Sequence, residues 1–312
     1  MKIGLLDIDG HNFPNLALMK LSACHKRIGD TVEWYDVFSG RYDIVYKAKI
    51  FTFTPDYEYY INAEQIIQGG TGYSDLRKLP LEVDIQPNDY SLYPKFKHAL
   101  GFLTRGCIRK CSWCIVPEKE GKIRGDADIG YILQDRKSAI LMDNNVLACD
   151  WGLTQIEKIA NLGVRVDFNQ GLDARLVTPE IAKLLSQVKW IDNTIRFSCD
   201  TKDTFDNIVA AKALLNAYGF KGKIFVYVLL TDDINECLSR IMNIDFLDFE
   251  NAIRTYKVKI FAQPYIDFSG KKIIPQWQRD MARWCNNKRL FYSDTFENYR
   301  PRKGFLCKSY FN

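Results

Sequence analysis

Cys107, Cys111 and Cys114 are spaced Cys-x3-Cys-x2-Cys in the stretch Thr104-Arg-Gly-Cys-Ile-Arg-Lys-Cys-Ser-Trp-Cys-Ile-Val-Pro117. Both the spacing and the count point to chemistry. Each iron of a [4Fe–4S] cluster normally takes one cysteine thiolate. Three thiolates leave one iron open, and an open metal position can bind and activate a small molecule. The competing chemistry is structural zinc, with His98 or Cys149 as the fourth ligand. Three close ligands without a local fourth make a poor zinc site. Arg105, Arg109, Lys110, Lys119, Lys122 and Arg124 surround the cysteines. They read either as a solvated basic face or as an attractor for an anionic substrate or reductase.

Something must hold such a loop in place. From Ala99 onward, apolar runs of strand length alternate with helical patterns. The strands fall at Gly101–Thr104, Ser138–Asn144, Arg165–Gln170, Thr194–Asp200, Lys223–Leu230 and Lys257–Tyr265. Helical patterns lie between them at Thr154–Leu162, Thr178–Val188, Thr204–Tyr218 and Asp233–Met242. Thr178-Pro179 is a good helix start, with Thr as N-cap and Pro at the first helical position. This alternation implies parallel strands with right-handed crossovers. Residues 97–269 therefore read as a partial, open (β/α)6 TIM-like barrel. The cysteine loop follows its first strand, at the end where barrel chemistry collects.

Residues 1–78 read as a small Rossmann- or flavodoxin-like α/β domain. Its strands are Lys2–Asp9, Thr31–Asp36, Asp43–Thr52 and a short one at Ile66 running into a glycine turn. A helix from Asn15 to Ile28 ends at Gly29. Pro80, Pro87 and Pro94 punctuate residues 79–96, which read as a linker. Residues 270–312 form a C-terminal extension.

The cysteine motif, with Trp113 before the last Cys, resembles the radical S-adenosylmethionine (SAM) superfamily signature. The wider string from Thr104 to Pro117 resembles the branch with methylthiotransferases and cobalamin-dependent radical enzymes. The resemblance covers residues from about Asp89 to Tyr265. It implies a [4Fe–4S] cluster on Cys107, Cys111 and Cys114, and SAM chelating the open iron. It also implies reductive cleavage of SAM to a 5′-deoxyadenosyl radical that abstracts hydrogen from a substrate. The electron donor would be a reductase of flavodoxin or ferredoxin type. The cofactor carries the hard chemistry and the protein positions and shields it.

The strand ends hold the remaining candidates. Asn144 and Asn145 stand where related enzymes hold the SAM amino group, although the usual Gly-Gly-Glu is absent. Gln170 offers neutral hydrogen bonds, and Ser198 or Asp200 suits ribose hydroxyls. The resemblance places Trp113 near the adenine, and Gln263 and Pro264 at a strand end where backbone pairs with it. Asp173 and Arg175 are the catalytic candidates. Arg175 suits a bidentate carboxylate clamp; alternatively the pair only fixes its loop.

Two related readings follow. Asp9-Gly-His-Asn-Phe-Pro14 partly matches the Asp-x-His-x-x-Gly loop of cobalamin domains, with Pro14 in place of glycine. Together with Gly69-Gly-Thr-Gly72 it leaves open a cobalamin-dependent radical SAM methyltransferase, with His11 on cobalt. The plainer reading is a turn and helix cap built from Asp9, His11 and Asn15. A methylthiotransferase needs a second cysteine triplet, and only Cys24 precedes Cys107.

Composition sets the outer limits. An apolar fraction of 47% with 13% aromatics indicates a packed core. No apolar run reaches membrane-spanning length. Nine cysteines in what reads as a cytoplasmic chain favour thiols and metal ligands over disulfides. Residues 270–312 hold ten Lys/Arg against three Asp/Glu, within a net charge of +5 for the chain. Their aromatics leave open nucleic-acid binding, and a non-catalytic iron–sulfur or zinc protein of that kind. The plainer expectation is that these aromatics pack inward.

Overall fold

A computed structural model describes residues 1–250, 253–267 and 272–311. It divides into two compact units. The first consists mainly of Met1–Gly101 with Gly130–Arg136. The second takes most of the remainder. The expected boundary at 269/270 falls outside the described residues.

In the first unit, strands β1 (Lys2–Asp7), β2 (Thr31–Trp34), β3 (Tyr42–Ala48) and β4 (Ala63–Gly69) pair in parallel in the order β2-β1-β3-β4. Helix α1 (Leu16–Arg27) links β1 to β2. Asn15 caps it by accepting from the amides of Ala17 and Leu18, as the helix-start signal predicts. One apolar cluster gathers Ile3, Leu5, Leu18, Leu21 and Val83. Another joins Tyr42, Val45 and Ile61. Residues 79–96 are not a free linker. They carry Val83, Tyr90 and Tyr93 into this unit's core. Proline spacing hid this because the anchoring residues lack a helical or strand period.

The loop after β1 is fixed by its own polar groups. Asp9 accepts from the amides of Ile50 and Phe51 and from Thr54 Oγ1. The His11 ring stacks on Trp34 at 3.9 Å. Tyr93 donates to Asp7 at 3.1 Å and accepts from the Asn15 amide.

The second unit is α/β with parallel sheets. Strands β5 (Thr104–Arg105) and β6 (Arg124–Gly125) form a short antiparallel pair. Then come β7 (Ser138–Leu141), α2 (Asp150–Leu162), β8 (Arg165–Phe168), α3 (Pro179–Gln187) and β9 (Lys189–Trp190). They are followed by β10 (Thr194–Ser198), α4 (Thr204–Ala217), β11 (Lys223–Leu230), α5 (Ile234–Phe246) and β12 (Val258–Pro264). β7, β8 and β9 pair in parallel, as do β10, β11 and β12. Among the described residues one isolated parallel bridge, Leu172 to Phe197, connects the two groups. No closed barrel forms among the described residues. The strand expected at Gly101–Thr104 is split into Ala99–Gly101 and Thr104–Arg105.

Burial alternates regularly along the central strand of the second sheet. Along β11, Ile224, Val226, Val228 and Leu230 are buried, while Lys223, Phe225, Tyr227 and Leu229 are half-buried. One face of this sheet is thus sealed and the other is only partly covered. In the C-terminal extension, α6 (Gln276–Asn286) buries Met281 and Trp284, and Phe296 and Tyr299 are buried beyond it. Those aromatics pack inward. No described helix is long and apolar enough to cross a membrane.

Candidate functional site

The cysteine loop leaves β5 and returns through β6. Its neck is tied by Thr104 against Gly125 and Arg105 against Arg124. The amide of Asp126 donates to the Leu103 carbonyl at 2.8 Å, extending that tie. Gly106 has a φ of +84°, and a Cβ there would lie 2.3 Å from the Lys122 carbonyl oxygen. Only glycine lets the two arms of the loop approach this closely. Beneath the neck, Asp143 accepts from the amides of Leu103 and Thr104 and from Thr104 Oγ1. Burial pushes its carboxyl up to about 6 against those hydrogen bonds.

All three thiols are free. Cys107 and Cys111 are half-buried and Cys114 is exposed. The Cys114 amide donates to the Cys111 carbonyl, closing a tight turn that carries Trp113. Trp113 is half-buried. Among the described residues, no three His, Cys, Asp or Glu side chains are gathered closely enough to hold a metal ion. The loop carries the thiols without collecting them. Cys149, half-buried ahead of α2, does not complete a set with them.

Several expected partners do converge on Cys107. The Arg109 amide donates to its Sγ at 3.3 Å and Asn145 Nδ2 at 3.5 Å. Asn145 Nδ2 also lies 3.3 Å from Asp173 Oδ2. Asp173 accepts from Arg109 Nε at 2.9 Å, and from Arg175 Nε at 2.6 Å and Nη2 at 3.0 Å. Burial alone would raise the Asp173 carboxyl, but the hydrogen bonds from Arg175 and Arg109 hold it below the usual carboxylate range. Two guanidinium groups thus share one carboxylate beside Cys107. The Cys111 thiol is pushed up first by burial, with Asp200, Cys107 and Asp173 adding to the effect and Arg175 opposing it. A cleft of about 450 Å³ opens here, lined by Cys107, Ile108, Arg109, Lys110, Pro117 and Lys122.

Asn145 is 3% exposed, and its Oδ1 is buried without a hydrogen-bond donor. A buried acceptor left unsatisfied costs about 1–3 kcal/mol. A bound donor at this point would remove that cost.

The other candidates make no hydrogen bond to the cysteines among the described residues. Asn144 turns to Glu120, donating to Oε2 at 2.9 Å. Glu120 also accepts from the Gly106 amide and pairs with Arg105. Ser198 Oγ donates to the Gln170 carbonyl at 3.4 Å, while the Gln170 side chain is exposed and meets Asn169. Burial raises the Asp200 carboxyl, opposed by Arg240 and Arg175. Sequence reasoning missed Glu120 and the Arg109–Asp173 pair. Both depend on contacts between distant residues that no local spacing encodes.

No protein-family model matches this chain, and no curated protein does.

Proposed function

We propose that this chain is a radical SAM enzyme whose second unit is an open, TIM-like partial barrel, with Cys107, Cys111 and Cys114 holding a [4Fe–4S] cluster. The observation that carries the reading is Asn145. It donates to Cys107 Sγ while its own buried Oδ1 lacks a donor. The donor set fits: three free thiols lie on one loop, the number that leaves one iron of a [4Fe–4S] cluster open. When bound, such a cluster supplies the low-potential electron for reductive cleavage of SAM.

The protein's own residues bind and orient. Asn145 Oδ1 accepts from the SAM ammonium group. Arg109 and Arg175 attract the SAM carboxylate, and Asp173 fixes both guanidinium groups so that little freedom is lost on binding. Gln170, Ser198 and Asp200 offer polar groups for the ribose, and Trp113 an apolar surface for the adenine. The basic lining of the cleft suits docking of an acidic electron-donor protein.

Anaerobic reconstitution tests this. The expected result is about four irons per chain and formation of 5′-deoxyadenosine from SAM under strong reductant. Cys111→Ala should abolish cleavage and leave the circular dichroism spectrum unchanged. Uptake of zinc with no iron would refute the reading.

A further inference from the structure

Closed α/β barrels usually fill the inward positions of their strands with branched aliphatic residues. The half-buried face of β10, β11 and β12 departs from that. Pairing register sets Arg196, Phe225 and Lys259 in one row across the three strands, and Ser198, Tyr227 and Phe261 in the next. Phe225 and Phe261 lie roughly parallel at 6.2 Å, with Tyr227 edge-on to both. Arg196 stands 4.7 Å over the Phe225 ring, held from below by a bidentate pair with Asp167 at 2.7 and 2.9 Å.

The charge on this face is positive. Among the described residues Lys259 makes no ion pair, and its ammonium pKa is lowered first by burial, then by Lys288 and Lys223. Asp192 and Arg196 also act on it, in opposite senses. Register puts Lys259 beside Phe225, and Lys223 stands two residues before Phe225 on the same strand face; these ammonium groups suit an anion, and the rings beside them make a stacking platform.

We infer that the Phe225–Tyr227–Phe261 face with Lys259 and Lys223 binds a nucleotide, its base on the rings and its phosphate at the lysines. This deepens the proposed function by naming the substrate class. It rests on that reading for its chemistry but not for its binding. A free nucleotide and a nucleotide within a single strand present the same groups.

The test is calorimetric titration of the full chain without reconstitution. The titrants are nucleoside 5′-monophosphates, the matching nucleosides and a ten-nucleotide single strand. The monophosphate should bind about tenfold more tightly than its nucleoside. Lys259→Gln should remove most of that difference, and Phe225→Leu should weaken monophosphate and nucleoside alike. Lys158→Gln, on a surface lysine paired with Asp128, serves as the charge control and should change nothing. SAM cleavage without substrate, measured separately after reconstitution, should survive Lys259→Gln. A strand binding more tightly than the monophosphate, with both weakened by Lys259→Gln, identifies a nucleic-acid source; equal affinity identifies a free nucleotide. Equal binding of nucleoside and monophosphate overturns the assignment. So does full affinity in folded Lys259→Gln, or displacement of the nucleotide by SAM. Nucleotide binding without iron uptake would instead sink the radical SAM reading and leave this one standing.

Discussion

Asn145 Nδ2 and Cys107 Sγ lie 3.5 Å apart although 38 residues separate them in the chain. The contact joins the turn after β7 to the cysteine loop after β5. Asn145→Leu keeps the volume but removes both polar ends. Iron content after reconstitution should stay close to wild type. The SAM dissociation constant should rise about tenfold, as expected for loss of one hydrogen bond to a charged group. Equilibrium dialysis with labelled SAM measures it.

Gly106→Ala forces a Cβ against the Lys122 carbonyl at a φ that side chains rarely adopt. The strain should amount to about 1–3 kcal/mol and fall on the loop alone. Reduced iron uptake with a melting temperature lowered by a few degrees is the expected pattern.

Asp167 and Arg196 form a bidentate pair linking the two parallel sheets. Asp167 is buried, so Arg196→Met leaves a carboxylate without its cation. Thermal melting should show a loss of about 3 kcal/mol. The double variant with Asp167→Asn should recover part of it.

Asp7 in the first unit has its carboxyl raised to about 6, mainly by burial, against the opposing hydrogen bond from Tyr93. In the unfolded chain it titrates near 3.8. Between those values the folded state binds more protons. Its contribution to stability is therefore complete below the lower value and is lost as pH climbs through the upper one. Asp143 carries the same sign in the second unit. Urea midpoints should fall from pH 4 to pH 6, and Asp7→Asn should flatten the part belonging to the first unit.

Much of this was legible in the chain. Thr178-Pro179 announces α3, whose N-cap Thr178 accepts from the Ile181 amide. β11 occupies Lys223–Leu230, as its apolar run indicates. Asp173 and Arg175 do pair. What escaped depends on distance along the chain. β9 is two residues long and exists only because β8 lies beside it. Tyr90 and Tyr93 look like loop residues until the first unit's core surrounds them. The row of Arg196, Phe225 and Lys259 follows from pairing register, which alternation alone does not fix.

The tied neck formed by β5 and β6 separates two energies that small metalloproteins usually merge. In a zinc finger, the metal's binding energy is the folding energy, and a chelator denatures the domain. Here the loop is closed below the cysteines by protein hydrogen bonds alone, so the sheets do not depend on what the loop carries for their pairing. For the proposed cluster, loading and unloading would then be local events, and the chain freed of it would stay folded.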